Sequence, residues 1–243
     1  MPIQTQEIIY HSNNSDFQGF IAFDDTNSEP KPGVIIVHEW WGHNDFVRSK
    51  AEQLAADGYI GFALDMYGVG KTATDPEQAG IYMNEARETP GAIVERFDAA
   101  MDTLKSQSQV DSSVIYACGF CFGGAVVLEM ARAGRDLNAV ASFHGLLETE
   151  NPMKAGIFDG EIGVYNGADD PMVSAEILQV FENEMSEAGV TCSLVNYPGV
   201  VHGFTNPEAT ARGEKYGMPL AYNQAAAEDS YNNMIELFAT SQS

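Results

Sequence analysis

At 243 residues, with 44% hydrophobic and 19% charged side chains, the chain is too apolar for a disordered polymer and long enough for one sizeable core. Its 12 basic against 35 acidic residues leave a formal net charge of −23, which repels nucleic-acid phosphates and anionic lipid heads and excludes both as expected partners. The cysteines, Cys118, Cys121 and Cys192, are too few for a disulfide scaffold. The first residues lack the basic-then-apolar pattern of a signal peptide, and no window approaches the roughly 20 apolar residues of a membrane span, so cytoplasm is the expected compartment.

In chain order, residues 6–10 and 17–23 read as an antiparallel strand pair joined by the polar turn HSNNSD. Residues 34–38 form a continuous apolar run after Pro32-Gly33, as for a strand buried on both faces. Asn44 or Asp45 then caps a helix reaching Gly58, with Phe46, Val47, Leu54 and Ala55 at helical spacing. A strand over 59–64 follows, then a Gly-containing loop and a helix beginning at Pro76. Ile93, Phe97, Met101 and Leu104 share one face of a longer helix. Strands are expected over 114–118, 139–143, 162–165 and 192–197, with helices over 175–188 and 221–239. The alternation predicts a single α/β domain over residues 1–243, with a mostly parallel central sheet and helices on both faces.

The segment VIYACGFCFGG carries the strongest chemical signal. A β-rich run ends in Gly119-Phe120-Cys121-Phe122-Gly123-Gly124 and passes directly into an apolar helix. Glycines two before and two after Cys121 suit the sharp strand-to-helix turn on which α/β-hydrolase folds present a nucleophile. That turn sets the thiol at a helix N-terminus, where dipole and free N–H groups favour a thiolate, and aims the Phe122 N–H at a developing oxyanion. Cys118 and Cys121 also form a CxxC spacing, which opens a dithiol redox alternative; a zinc site would need a second ligand pair. Cys118 falls inside the apolar strand, the position of a buried structural cysteine.

A thiol nucleophile needs a base and a group to orient it, and in this fold the chain order is nucleophile, acid, histidine. Residues 166–171, NGADDP, follow a strand; there Asp170, three after Gly167 and just before Pro171, is preferred over Asp169. His202 is the only one of five histidines that comes after Asp170, in a loop after the last predicted strand. The segment His38-Glu39-Trp40-Trp41-Gly42-His43 superficially resembles a zinc-protease helix, but its histidines are five apart and do not share a helix face. Its place after the third strand suits the loop that supplies the second oxyanion N–H, here from Trp40, with Glu39 near the site.

Together, GFCFGG, HEWWGHNDFVR, GADDP and VHGFTNP resemble the dienelactone hydrolase family from about Val34 to Phe238. The resemblance implies cleavage of a small carboxylic ester or lactone by a Cys121, Asp170 and His202 triad, with main-chain amides of Trp40 and Phe122 as oxyanion hole. It also implies that Glu39 pairs with the resting thiol and moves aside on substrate binding. No metal or other cofactor is implied, and monomer and homodimer are both compatible with the sequence. One departure concerns substrate. The family's namesake grips a carboxylate with arginines, one of them four residues after the histidine; here that position is Asn206, the next arginine is Arg212, and Arg87 is the one candidate in the helix around 78–88. A neutral substrate is therefore expected, with Trp40, Trp41, Phe120 and Phe122 as candidate pocket walls. A catalytically silent binding protein on the same fold is the remaining alternative.

Overall fold

The computed structural model describes residues 3–26 and 29–241. It falls into two compact units, residues 1–117 and 118–243, with the boundary inside a strand.

In the first unit, β1 (Ile3–Ser12) and β2 (Ser15–Asp24) pair antiparallel along their whole length. The turn between them is tighter than the expected six residues. Asn13 and Asn14 take φ of 47° and 61°, the left-handed pair of a type I′ hairpin turn, so His11 and Asp16 stay in the ladder. Then come β3 (Lys31–Val37), α1 (Asp45–Ala56), β4 (Ile60–Ala63), α2 (Pro76–Glu88), α3 (Ala92–Lys105) and β5 (Val110–Phe120). Strand β3 starts before the expected position because the Lys31 N–H donates to Gln109 O at 2.9 Å. Pro32 is tolerated there near the strand's first residue. Asn44 is the cap of α1, accepting the Phe46 N–H at 3.1 Å. Buried Val47, Ala51, Leu54 and Ala55 form the inner face of this helix. A β-carbon at Gly61 of β4 would lie 2.5 Å from Ala51 O, so glycine sets how closely helix and strand approach. In α3 the core position beside Phe97, Met101 and Leu104 is taken by Ala92 and Ala100, while Ile93 is half-buried.

The strand order is β1-β2-β4-β3-β5 in this unit. β5 continues into the second unit, where the order is β5-β6-β7-β8, so the strands make one eight-stranded, mostly parallel sheet. The second unit contains α4 (Phe122–Arg132), β6 (Ala139–Phe143), β7 (Glu161–Gly167), α5 (Ala175–Ala188), β8 (Cys192–Tyr197), α6 (Ala209–Tyr216) and α7 (Gln224–Thr240). Strands β6 and β8 and helix α5 have the bounds expected from the sequence. Helix α7 starts later than expected, at the residue after Asn223, whose side chain accepts the Ala226 N–H at 3.0 Å. Helix α6 was not expected: it buries only Ala209 and Gly213 and so shows no apolar stripe. Among the described residues, no helix is long and apolar enough to cross a membrane.

Candidate active site

Strand β5 delivers Cys121 to the N-terminus of α4 with φ 54° and ψ −112°, a conformation rarely adopted by a residue with a β-carbon. Local packing explains how the turn is held. The Cys121 N–H donates to Phe143 O at 3.0 Å, and the Ala125 N–H donates to Cys121 O at 3.2 Å. A β-carbon at Gly119 would fall 2.0 Å from Gly123 O, so the strand end and the first helical turn touch only because Gly119 has no side chain. The thiol is half-buried, at a helix start whose first N–H groups have no side-chain cap.

Strand β7 ends at Gly167, and the turn after it exposes Asp169 but buries Asp170. One oxygen of Asp170, Oδ1, accepts the Met172 N–H at 2.9 Å. The other, Oδ2, accepts from His202 Nδ1 at 2.7 Å. The carboxylate thus fixes the tautomer that leaves His202 Nε2 without a proton in the neutral ring. Beyond β8, the chain returns His202 against the segment before α7: its carbonyl accepts the Ala221 N–H at 3.2 Å.

His202 is 3% exposed. Burial would lower its pKa, yet the negative charge and hydrogen bonding of Cys121 and Asp170 outweigh it and raise the imidazole to about 10. Nε2 is buried without a hydrogen bond of ordinary geometry, so the Cys121 contact is a loose one, as nucleophile–base pairs often are before substrate binds. Cys121, Asp170 and His202 are therefore brought together within the second unit.

Other candidates sit differently. Among the described residues no disulfide forms, and Cys118 is 1% exposed inside β5. Phe120 is in the core, stacked on Phe143 at 4.9 Å, and Phe122 and Trp41 are buried too, so Trp40 is the aromatic of this group with part of its surface open. In the first unit, Glu39 is buried just after β3, and the Trp40 carbonyl accepts from Tyr67 Oη at 3.2 Å. His38 donates from Nδ1 to Glu39 O at 2.6 Å and accepts the Met66 N–H on Nε2 at 3.1 Å, which makes it a structural bracket. Arg87 is exposed near the end of α2, Arg212 pairs with Glu208 at 2.5 Å, and Asn206 Oδ1 accepts the Glu208 N–H at 2.9 Å. Among the described residues, no three His, Cys, Asp or Glu side chains gather in a way that would hold a metal ion.

A family model described as the dienelactone hydrolase family matches residues 17–242. The chain belongs to the dienelactone hydrolase family. Protein usf of Aquifex pyrophilus is 28% identical over 243 residues, covering 96% of this chain and 97% of its own. A solved structure named m3DLH superposes with a TM-score of 0.92 at 35% identity, covering 99% of both chains. A dienelactone hydrolase-like promiscuous phosphotriesterase from metagenomic libraries gives 0.91 at 32% identity, again with 99% of both chains covered.

One residue packed against this candidate site was not singled out in the sequence. His144, directly after β6, packs its ring against that of His202 with centroids 5.1 Å apart. Its signal was positional: a histidine at the C-terminal end of a buried parallel strand, where such folds assemble their sites.

Proposed function

We propose that this dienelactone hydrolase family member is a carboxylic ester hydrolase that cleaves a small, neutral ester or lactone by acyl transfer through Cys121. The observation that carries the reading is the buried Asp170–His202 bond of 2.7 Å beside a thiol held in a strained elbow. With the His202 pKa raised to about 10, Nε2 already holds the Sγ proton near neutral pH, and the sulfur left behind attacks the carbonyl carbon. The carbonyl oxygen becomes an oxyanion, which the Phe122 N–H and other amides stabilise. Collapse breaks the carbon–oxygen bond, and His202 returns the proton to the leaving alcohol. Water, losing a proton to His202, then attacks the thioester; the carbon–sulfur bond breaks, the carboxylic acid leaves, and the sulfur is again paired with protonated His202. Asp170 keeps Nδ1 protonated throughout.

The roles implied by the resemblance for Glu39 and for the Trp40 amide belong to the proposal, as does the action of residues 1–243 as one domain. Substrate neutrality is supported by Arg212, whose charge Glu208 offsets, and by Asn206 in the place of an arginine. The dithiol alternative is not favoured, because Cys118 is a core residue of β5.

Hydrolysis of short-chain p-nitrophenyl esters by the wild type and by Cys121→Ala tests the reading. Turnover by the wild type and a fall of at least about 1,000-fold in the variant are expected. An intact wild type with no turnover of any ester would support the silent-binder alternative. The 32% identical relative named a promiscuous phosphotriesterase makes an aryl dialkyl phosphate a useful second substrate class in the same assay.

A further inference from the structure

The loop after β6 carries a buried imidazole that the proposed reaction does not use. His144 has φ 40°, a left-handed conformation that costs free energy in a residue with a β-carbon. Its N–H donates to Tyr165 O at 2.8 Å, which fastens the turn to β7. Phe143, the residue before it, accepts the Cys121 N–H through its carbonyl at 3.0 Å. Two consecutive residues therefore touch both reactive partners, the backbone of Cys121 and the ring of His202.

The ring of His144 is closely confined. It meets His202 edge-on, at 68° between planes, and Phe204 at 5.3 Å and 76°; Phe120 lies 6.2 Å away. Nε2 is hydrogen-bonded to Thr205 Oγ1 at 2.8 Å, and that threonine is 3% exposed. An apolar ring would fill the same box. The bond to Thr205 adds a fixed rotation about the side chain, and with it a fixed surface against which His202 rests. Such a surface is needed, because a single bond from Nδ1 to Asp170 leaves the His202 ring free to swing about that bond.

We infer that His144, locked by Thr205, is a positioning residue that sets the plane of the His202 imidazole so that Nε2 faces Cys121. The inference rests on His202 acting as the base in the proposed reaction. Proton transfer is steeply sensitive to such placement: a shift of about 1 Å costs about 100-fold in rate.

The test uses the full chain and the variants His144→Asn, which tolerates a left-handed backbone, Thr205→Val, which removes the hydroxyl, and Thr205→Ser, which keeps it. Two readouts are taken: kcat and KM for p-nitrophenyl acetate, and the rate of Cys121 alkylation by iodoacetamide from about pH 5 to about pH 10. The titratable groups against His202 are Cys121, Asp170 and His144. His144→Asn and Thr205→Val are expected to lower kcat by about 10- to 100-fold with KM within about threefold, and to move the alkylation profile along the pH axis. Thr205→Ser is expected to restore both.

A lower melting temperature with wild-type kcat and an unmoved alkylation profile would overturn the inference. If His144→Asn fails to fold, the Thr205 pair decides alone. His202→Ala separates the two levels. Wild-type kcat in that variant removes the base and the inference together. A silent His202→Ala beside a wild-type-like Thr205→Val removes the inference only.

Discussion

Each of the two units buries histidine at the end of a parallel strand, and the outcomes are opposite. His38 and His43, at and after the end of β3, have their pKa values lowered, and burial drives His43 down to about 3. His202, after β8 and just as inaccessible, is raised to about 10. The partners make the difference. Burial lowers His38 against the opposing pull of Asp65 and the Glu39 carbonyl, and burial together with the charge of Arg48 lowers His43. His202 faces the carboxylate of Asp170 and the thiol of Cys121. A buried imidazole is a neutral spacer by default, and acidic partners at both ring nitrogens turn it into a base.

The largest effect expected from breaking this contrast is in His202→Ala, where ester turnover should fall by at least about 1,000-fold in steady-state assays. Asp170→Asn keeps the shape but loses the orienting charge and should cost about 100- to 10,000-fold in kcat. The exposed neighbour supplies the control: Asp169→Asn should stay within about threefold, and the reverse ranking would assign the orienting role to Asp169.

Smaller effects belong to the first unit. His38→Ala leaves the Met66 N–H without its acceptor and should destabilise the fold by about 1–3 kcal/mol, read as a lower thermal midpoint. His43 is neutral in the folded chain and takes up a proton near pH 6.5 when unfolded, so its contribution is present above that pH. The unfolded chain then binds the extra proton as pH falls from about 6.5 towards about 3, and stability is lost across that window. His43→Gln should flatten the fall of melting temperature over this range. The smallest change is expected in Cys118→Ala, where kcat should stay within about threefold; a dithiol mechanism would lose all function there.

Much of this was legible in the sequence where a local rule fixes the backbone. Gly119 announces the elbow because no side chain fits between it and the Gly123 carbonyl of the helix start, and β6, α5 and β8 follow from uninterrupted periodicity. The Asn13-Asn14 turn was read too wide, since its left-handed pair is a property of two residues within a longer polar run. Helix α6 escaped because its inner face is made of Ala209 and Gly213, which carry no hydrophobic signal. Asp170 and His202 could be placed in order but not in contact, and the His144–Thr205 bond joins residues 61 positions apart, beyond any local pattern.

The most direct test of the central claim is a titration of the histidine rings by NMR in the wild type and in Cys121→Ala. The account predicts that His202 stays protonated up to about pH 10 in the wild type and loses its proton at lower pH once the thiol is removed, while His43 stays neutral down to about pH 3. A His202 ring that titrates at or below 6.5 in both proteins would contradict it.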